Sequence, residues 1–206
     1  KDSLFLAVEA GPHAAGHDQG DKATFTYYGY GQDFFIDSGY GNDGFPMKSG
    51  GSFAHNVVLV DGEGQPCRWH NNSSGEITGY HYSKEFDWIR ADAKTAWNAN
   101  MTQWVERPTG RNIAVAERQF VHVRGDGGEI PPYLVVYDNI AKNDDKPHDF
   151  TWQWHYQGYM QLDTKEKGRW TLSAANQSTK VLTTRLDYRK GKAYFGFTGP
   201  AGGGFK

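Results

Sequence analysis

In RNIAVAERQFVHVRG, residues 111–125, Ile113, Val115, Glu117, Gln119, Val121 and Val123 share one register of alternation, and Ala114, Ala116, Phe120 and His122 share the other. A repeat of two residues belongs to a β-strand and not to a helix. Neither register is cleanly polar, so this long strand is expected to be covered on both sides for part of its length. Similar runs occur at 4–9, 23–30, 33–37, 55–61, 76–82, 86–92, 132–140, 148–159, 169–173, 180–188 and 193–198, with Gly, Asn and Asp between them. Their spacing predicts an all-β fold, an antiparallel β-sandwich with little helix. Only AKTAWNAN, residues 93–100, suggests a helical turn or two. In DFTWQWHYQGY the expected strand points Phe150, Trp152, Trp154 and Tyr156 into a core. Gln153 and His155 fall on the opposite face, either bordering a groove or as a hydrogen-bonded structural histidine.

A chain of 206 residues suits one such domain, here set at residues 1–198. The glycines of TGPAGGGF offer nothing to pack, so residues 199–206 are expected to be a flexible tail. The 22 basic and 24 acidic side chains leave a net charge of −2, which provides no global field for nucleic acid or an anionic membrane. No apolar run reaches the roughly 18 residues needed to cross a bilayer. One cysteine, Cys67, excludes an internal disulfide framework. The chain opens with Lys and then an apolar run, LFLAVEA, as expected of a mature or excised piece with further residues upstream.

Three strand-like runs each bring one side chain able to bind a metal or move a proton. His17 lies in the Gly-rich loop GPHAAGHDQGDKATF, Asp37 ends the apolar run of FFIDSG, and His55 opens HNVVLVDG. Imidazole is the commonest metal ligand and titrates near neutrality, so two histidines and a carboxylate could serve one polar site if the fold brings them together. For Asp37 alone, turn chemistry before Ser38-Gly39 is the simpler explanation.

Taken in order, Gly11-Pro12, Gly16-His17-Asp18-Gln19-Gly20-Asp21, Thr24-Phe25, Asp37-Ser38-Gly39, Ala54-His55-Asn56 and Asp61-Gly62 resemble the heparinase II/III-like polysaccharide lyases. YLVVYDNI and HDFTWQWHY also resemble that family's later strands. The resemblance implies the C-terminal β-sandwich of a larger enzyme whose N-terminal helical toroid is absent from this chain and would complete the substrate groove. It implies His17 as a catalytic residue, and Gln19, Asp37 and His55 at the metal positions. The cofactor would be zinc or another divalent metal. Gln19 stands where the family motif GHxHxD has its second histidine, and an amide oxygen is a poorer zinc ligand than imidazole. Asp21 matches the motif's aspartate and would fix the loop behind the ligands.

Tyr40 and Arg68, with Lys48 and His70, lie in loops near the motif and could contact an anionic sugar. The implied chemistry is β-elimination on a uronate-containing acidic polysaccharide, by a secreted or periplasmic enzyme whose sandwich is inactive alone. A non-catalytic carbohydrate-binding sandwich is the main alternative. A jelly-roll oxygenase with a two-histidine, one-carboxylate triad ranks third, because Gln19 occupies the place of its carboxylate.

Overall fold

The computed structural model describes residues 4–13, 18–29, 32–37, 50–66, 73–99, 112–127, 130, 132–144, 146, 148–155, 158–162, 169–175, 181–184 and 193–196, with Gln32 and the last four segments by backbone alone. Strands β1 (Phe5–Glu9), β2 (Thr24–Gly29) and β3 (Gln32–Phe35) form one antiparallel sheet in that order. A second antiparallel sheet runs β5 (Glu76–Tyr82), β6 (Phe86–Asp92), β7 (Ile113–Val123) and β8 (Tyr133–Lys142). Between them in sequence lies β4 (Val58–Val60), which pairs with β9 (Phe150–Trp152). β10 (Gly158–Leu162), β11 (Arg169–Ala175) and β12 (Val181–Thr184) pair in turn, and β13 (Ala193–Gly196) also pairs with β11. One helical turn, α1 (Lys94–Trp97), falls within the segment expected to be helical.

The first two sheets face each other across an aromatic core. Phe25, Tyr27, Phe34 and Phe35 from β2 and β3 pack with Phe120 of β7, and Ile89, Leu134 and Val136 close the far side. Phe25 meets Phe120 edge-on at 5.3 Å and Phe35 at 5.2 Å, the tilted geometry that aromatic quadrupoles favour. Full burial of each such ring contributes about 1.5–3 kcal/mol, so this cluster is a principal source of the sandwich's stability.

Three expectations need correction. Of the strand expected over 55–61, only Val58–Val60 forms, and His55 instead caps a 3-10 turn at Ser52–Ala54. Of the strand expected over 148–159, residues 158–159 open β10 and Phe150–Trp152 form β9, which stops at Trp152. Beyond it the Gln153 N–H still reaches the Val57 carbonyl, but His155 N–H goes to a side chain, Asn56 Oδ1. The chain crosses there to the end of β3, where Ile36 N–H donates to the His155 carbonyl, and the aromatic alternation breaks. Trp154 is in the core beside Phe35, whereas Trp152 is partly exposed and donates to Asp138; Tyr156 lies outside the described residues. In β7 a register shift between Ile113 and Val115 turns Ile113 into the core with Ala116, away from the register its position suggests. Alternate residues Ala116, Arg118, Phe120 and His122 are buried and the other register is half-buried.

A charged clip fastens β4 to the β8–β9 connection. His148 places Nδ1 2.9 Å from Asp61 Oδ2 and Nε2 2.7 Å from Asp144 Oδ1, while Lys142 Nζ reaches the same Asp61 oxygen at 3.0 Å. The Asp144 bond, helped by Asp61 and opposed by desolvation, raises the His148 pKa above the ordinary 6.5. A raised folded value stabilises fully below 6.5, and the contribution is lost as pH rises through that folded value. The carboxylates act at the other limit. Lys142 chiefly lowers Asp61 and His148 chiefly lowers Asp144, so their contributions disappear only as pH falls through values below 3.8. The gap in melting temperature between wild type and His148→Gln is therefore expected to be widest between pH 3.8 and 6.5 and to close in alkali. A gap that stays constant into alkali would show that the ring acts by packing alone.

Candidate active site

Asp37 sits two residues past β3, where the strand leaves its sheet, and the His55 turn lies against it. His55 Nδ1 is 2.7 Å from Asp37 Oδ2. The imidazole is fully buried and the carboxylate about 29% exposed, so the pair spans the boundary between core and solvent. With an ionised carboxylate as acceptor, Nδ1 carries the proton and Nε2 keeps its lone pair. That Nε2 is buried without a hydrogen-bond partner among the described residues. Such an atom requires a donor, a proton or a metal ion.

Asn56, fully buried, explains why these groups converge. Its Nδ2 donates to the carbonyls of Phe25 (2.8 Å) and Ile36 (3.0 Å), and its Oδ1 accepts the His155 N–H at 2.5 Å. One side chain thus ties together β2, the residue before Asp37, the residue after His55 and the segment following β9. Arg118 fixes Asn56 in turn. Its Nη1 donates to the carbonyls of Asn56 (2.5 Å) and Ala23 (3.0 Å), while Nε and Nη2 bind Asp138 at 2.6 and 3.1 Å.

The loop carrying Gln19 is tied to the same turn. Gly20 N–H donates to the Gly50 carbonyl, and Ser52 Oγ donates to the Gly20 carbonyl while accepting Gln65 N–H. A side chain on Gly20 would meet Ser52 Oγ and the Gln65 carbonyl at 2.9 Å, so this approach requires glycine. Below the loop lies Lys22, 2% exposed, with Nζ at 2.8 Å from Glu9, 2.9 Å from Asp18 and 3.6 Å from Asp21. Burial pulls the lysine pKa down, but the Glu9 and Asp18 bonds outweigh it and the net shift is upward. Asp21 is raised chiefly by burial, against the pull of Lys22 and His55.

The backbone of His155, a groove-lining or structural histidine in the sequence reading, is tied to the neighbours of the Asp37–His55 pair, its N–H to Asn56 Oδ1 and its carbonyl accepting from Ile36 N–H. Burial is the largest influence on the His155 pKa and pushes it below the ordinary value; a hydrogen bond to the Phe53 backbone opposes this, and His55 and Asp37 both act on it electrostatically. Its signal in the sequence was a polar residue in an otherwise aromatic strand. Asn56 stands in the sequence only as the last residue of the Ala54-His55-Asn56 motif, with no role of its own, and Arg118 carries no signal there as a site residue. His17, Tyr40 and Arg68, like Lys48, Cys67 and His70, lie outside the described residues.

Among the described residues no three His, Cys, Asp or Glu side chains lie close enough together to hold a metal ion. Two donors on one tetrahedral zinc, each about 2.0–2.1 Å from it, stand about 3.3 Å apart. The Asp37–His55 separation is that of a hydrogen bond. The orphaned His55 Nε2 nevertheless fits a metal, because metal-bound imidazoles usually donate their other N–H to a carboxylate or carbonyl.

A family model described as heparinase II/III-like, C-terminal, matches residues 1–194, so the chain belongs to that family. No curated protein matches it. Among solved structures, a heparinase III with methylated lysines is 16% identical with a TM-score of 0.55 over 85% of this chain and 24% of its own. A mutant of the heparan sulfate lyase HepC from Pedobacter heparinus is also 16% identical, with a TM-score of 0.55 over 84% of this chain and 24% of its own. At such identity the likeness is one of fold. The chain spans about a quarter of the length of these structures. No helix among the described residues is long and apolar enough to cross a membrane.

Proposed function

We propose that this chain is the β-sandwich portion of a secreted or periplasmic polysaccharide lyase that cleaves a uronate-containing polymer by β-elimination, completed by a helical domain beyond these residues. The observation that carries the reading is the Asp37–His55 pair at the end of β3, its imidazole buried and its carboxylate partly exposed, in a chain that belongs to this family. In the reaction a base removes the proton α to the uronate carboxylate. Its electrons form the ring double bond, the bond to the 4-linked oxygen breaks, and an acid protonates the departing oxygen. A histidine near neutrality suits such transfers, and His17 is assigned that role. His55, Asp37 and Gln19 would hold a divalent ion, which when bound adds local positive charge. Asp21 supports the loop through its place beside Lys22. Tyr40 and Arg68 are assigned to substrate contact.

The test is the ultraviolet absorbance of unsaturated uronate ends, using the full-length protein with heparan sulfate and other uronate polymers. His17→Ala is expected to lower kcat by roughly 10²–10⁴. The isolated 206-residue chain is expected to be inactive. Retention of polymer with no unsaturated product from the full-length protein would sink the lyase reading in favour of a binding module.

A further inference from the structure

Residues 18–22 close into a ring on the side chain of Lys22. Its buried Nζ lies 2.9 Å from Asp18 Oδ1, and that oxygen also accepts the Gln19 N–H at 3.2 Å. The Lys22 backbone is held as tightly, its N–H donating to Gln65 Oε1 at 2.9 Å and its carbonyl accepting from Gln65 Nε2 at 2.7 Å. Gln65 N–H in turn donates to the hydroxyl of Ser52, which opens the 3-10 turn that His55 caps. One residue thus links the motif loop, through its amine, to the turn of the Asp37–His55 pair, through its backbone. Directly after it Ala23 takes a φ of 66°, a left-handed conformation that a non-glycine residue keeps only when its surroundings impose it. The amine has a second bond, to Glu9 Oε1 on β1 at 2.8 Å. The Glu9 side chain is 41% exposed and that of Asp18 13%, so the bond to the loop is the better shielded from water.

We infer that Lys22 is a positioning residue of the reaction: through Asp18, its ammonium fixes the loop that carries His17 and Gln19 against the turn that carries His55. The inference rests on the lyase reading above, in which His17 moves the proton. It adds a route that Asp21 does not supply, since Asp21 stands 3.6 Å from the amine and Asp18 is the covalent neighbour of both His17 and Gln19. A charge-assisted bond shielded from water leaves its partner little freedom. Asp18 has a further contact, Oδ2 to His13 Nδ1 at 3.0 Å, which ties the same carboxylate to the chain before the loop. A general base works only within hydrogen-bond reach of the proton it takes, so a small displacement of this loop acts on kcat more than on polymer binding.

The experiment measures kcat and KM of the full-length protein by unsaturated uronate absorbance, amide hydrogen exchange at Gly20, and urea unfolding. Asp18→Ala cuts the bond to the loop and leaves Lys22 its bond to Glu9. It is expected to lower kcat roughly 10²-fold, the cost of misplacing a reacting group by about 1 Å, with KM changed less than about twofold. The Gly20 N–H, which donates to the Gly50 carbonyl, should exchange faster in this variant. Lys22→Met should give the same fall in kcat, and the double variant no further fall, because both remove one link. Glu9→Ala removes the amine's other bond and is expected to lower stability while kcat stays at the wild-type value. A fall in kcat shared equally by Glu9→Ala and Asp18→Ala, or absent from Asp18→Ala, would overturn the inference. No unsaturated product from the wild type would overturn the lyase reading instead. Gly20 exchange, which needs no substrate, then decides the positioning: faster exchange in Asp18→Ala than in Glu9→Ala upholds it, and equal rates overturn it.

Discussion

Arg118→Met is expected to destabilise the sandwich by about 3–5 kcal/mol, the range for stranding one member of a buried ion pair. The guanidinium is 2% exposed, and its four hydrogen bonds run to both oxygens of Asp138 and to the carbonyls of Ala23 and Asn56. It also lies 5.8 Å from the Phe25 ring centroid. Methionine fills much of the volume but leaves Asp138 with only the Trp152 Nε1 donor among these bonds, and two carbonyls lose a donor. At roughly 2–4 °C per kcal/mol for a domain of this size, the melting temperature should fall by about 6–20 °C. Arg118→Lys should recover little, since a point charge cannot span a forked carboxylate and two carbonyls at once. Replacing both partners, Arg118→Met with Asp138→Leu, should be less harmful than Arg118→Met alone, because no buried charge is then left unpaired. Urea unfolding of the three variants checks this order. A loss under about 1 kcal/mol for Arg118→Met would place the pair's worth in the range of surface ion pairs.

The pair was visible in the sequence to a reader who paired the strands first. Arg118 and Asp138 stand opposite each other across the hairpin of β7 and β8, each among apolar neighbours of its own register. Charges of opposite sign at facing core positions mark a buried ion pair, but only once the turn at GDGGEIPP has set the register. The strands themselves were legible because alternation is local. Convergence is not. Asp37 and His55 stand out by their chemistry at the ends of apolar runs and by their motif, and nothing in their spacing states that a 3-10 turn would bring them within 2.7 Å. The 148–159 strand was overextended for a related reason. Aromatic alternation continues through Trp154, whereas the backbone partner changes from a neighbouring strand to the side chain of Asn56.

Asn56→Ala should combine a large stability loss with a disproportionate loss at the site. The substitution removes the donor for the Phe25 and Ile36 carbonyls and the acceptor for the His155 N–H in a fully buried position. Each stranded group costs about 1–3 kcal/mol, so a total of about 3 kcal/mol or more is expected before any relaxation. Asn56→Asp should be no better. It keeps an acceptor for His155 but aims carboxylate oxygen at two carbonyls and buries a charge. Because Arg118 donates to the Asn56 carbonyl, the double variant with Arg118→Met should lose less than the sum of the single losses, a coupling that denaturant titration of the four proteins measures. The functional consequence follows from geometry. Ile36 precedes Asp37, Asn56 follows His55, and His155 hangs from the same amide, so freeing that amide releases all three side chains from one another. Zinc affinity should therefore fall further in Asn56→Ala than in Phe120→Ala, a core truncation expected to lose about 3–5 kcal/mol with every hydrogen bond of the hub intact. Equal affinities in the two would mean that the site depends on the stability of the fold and not on Asn56.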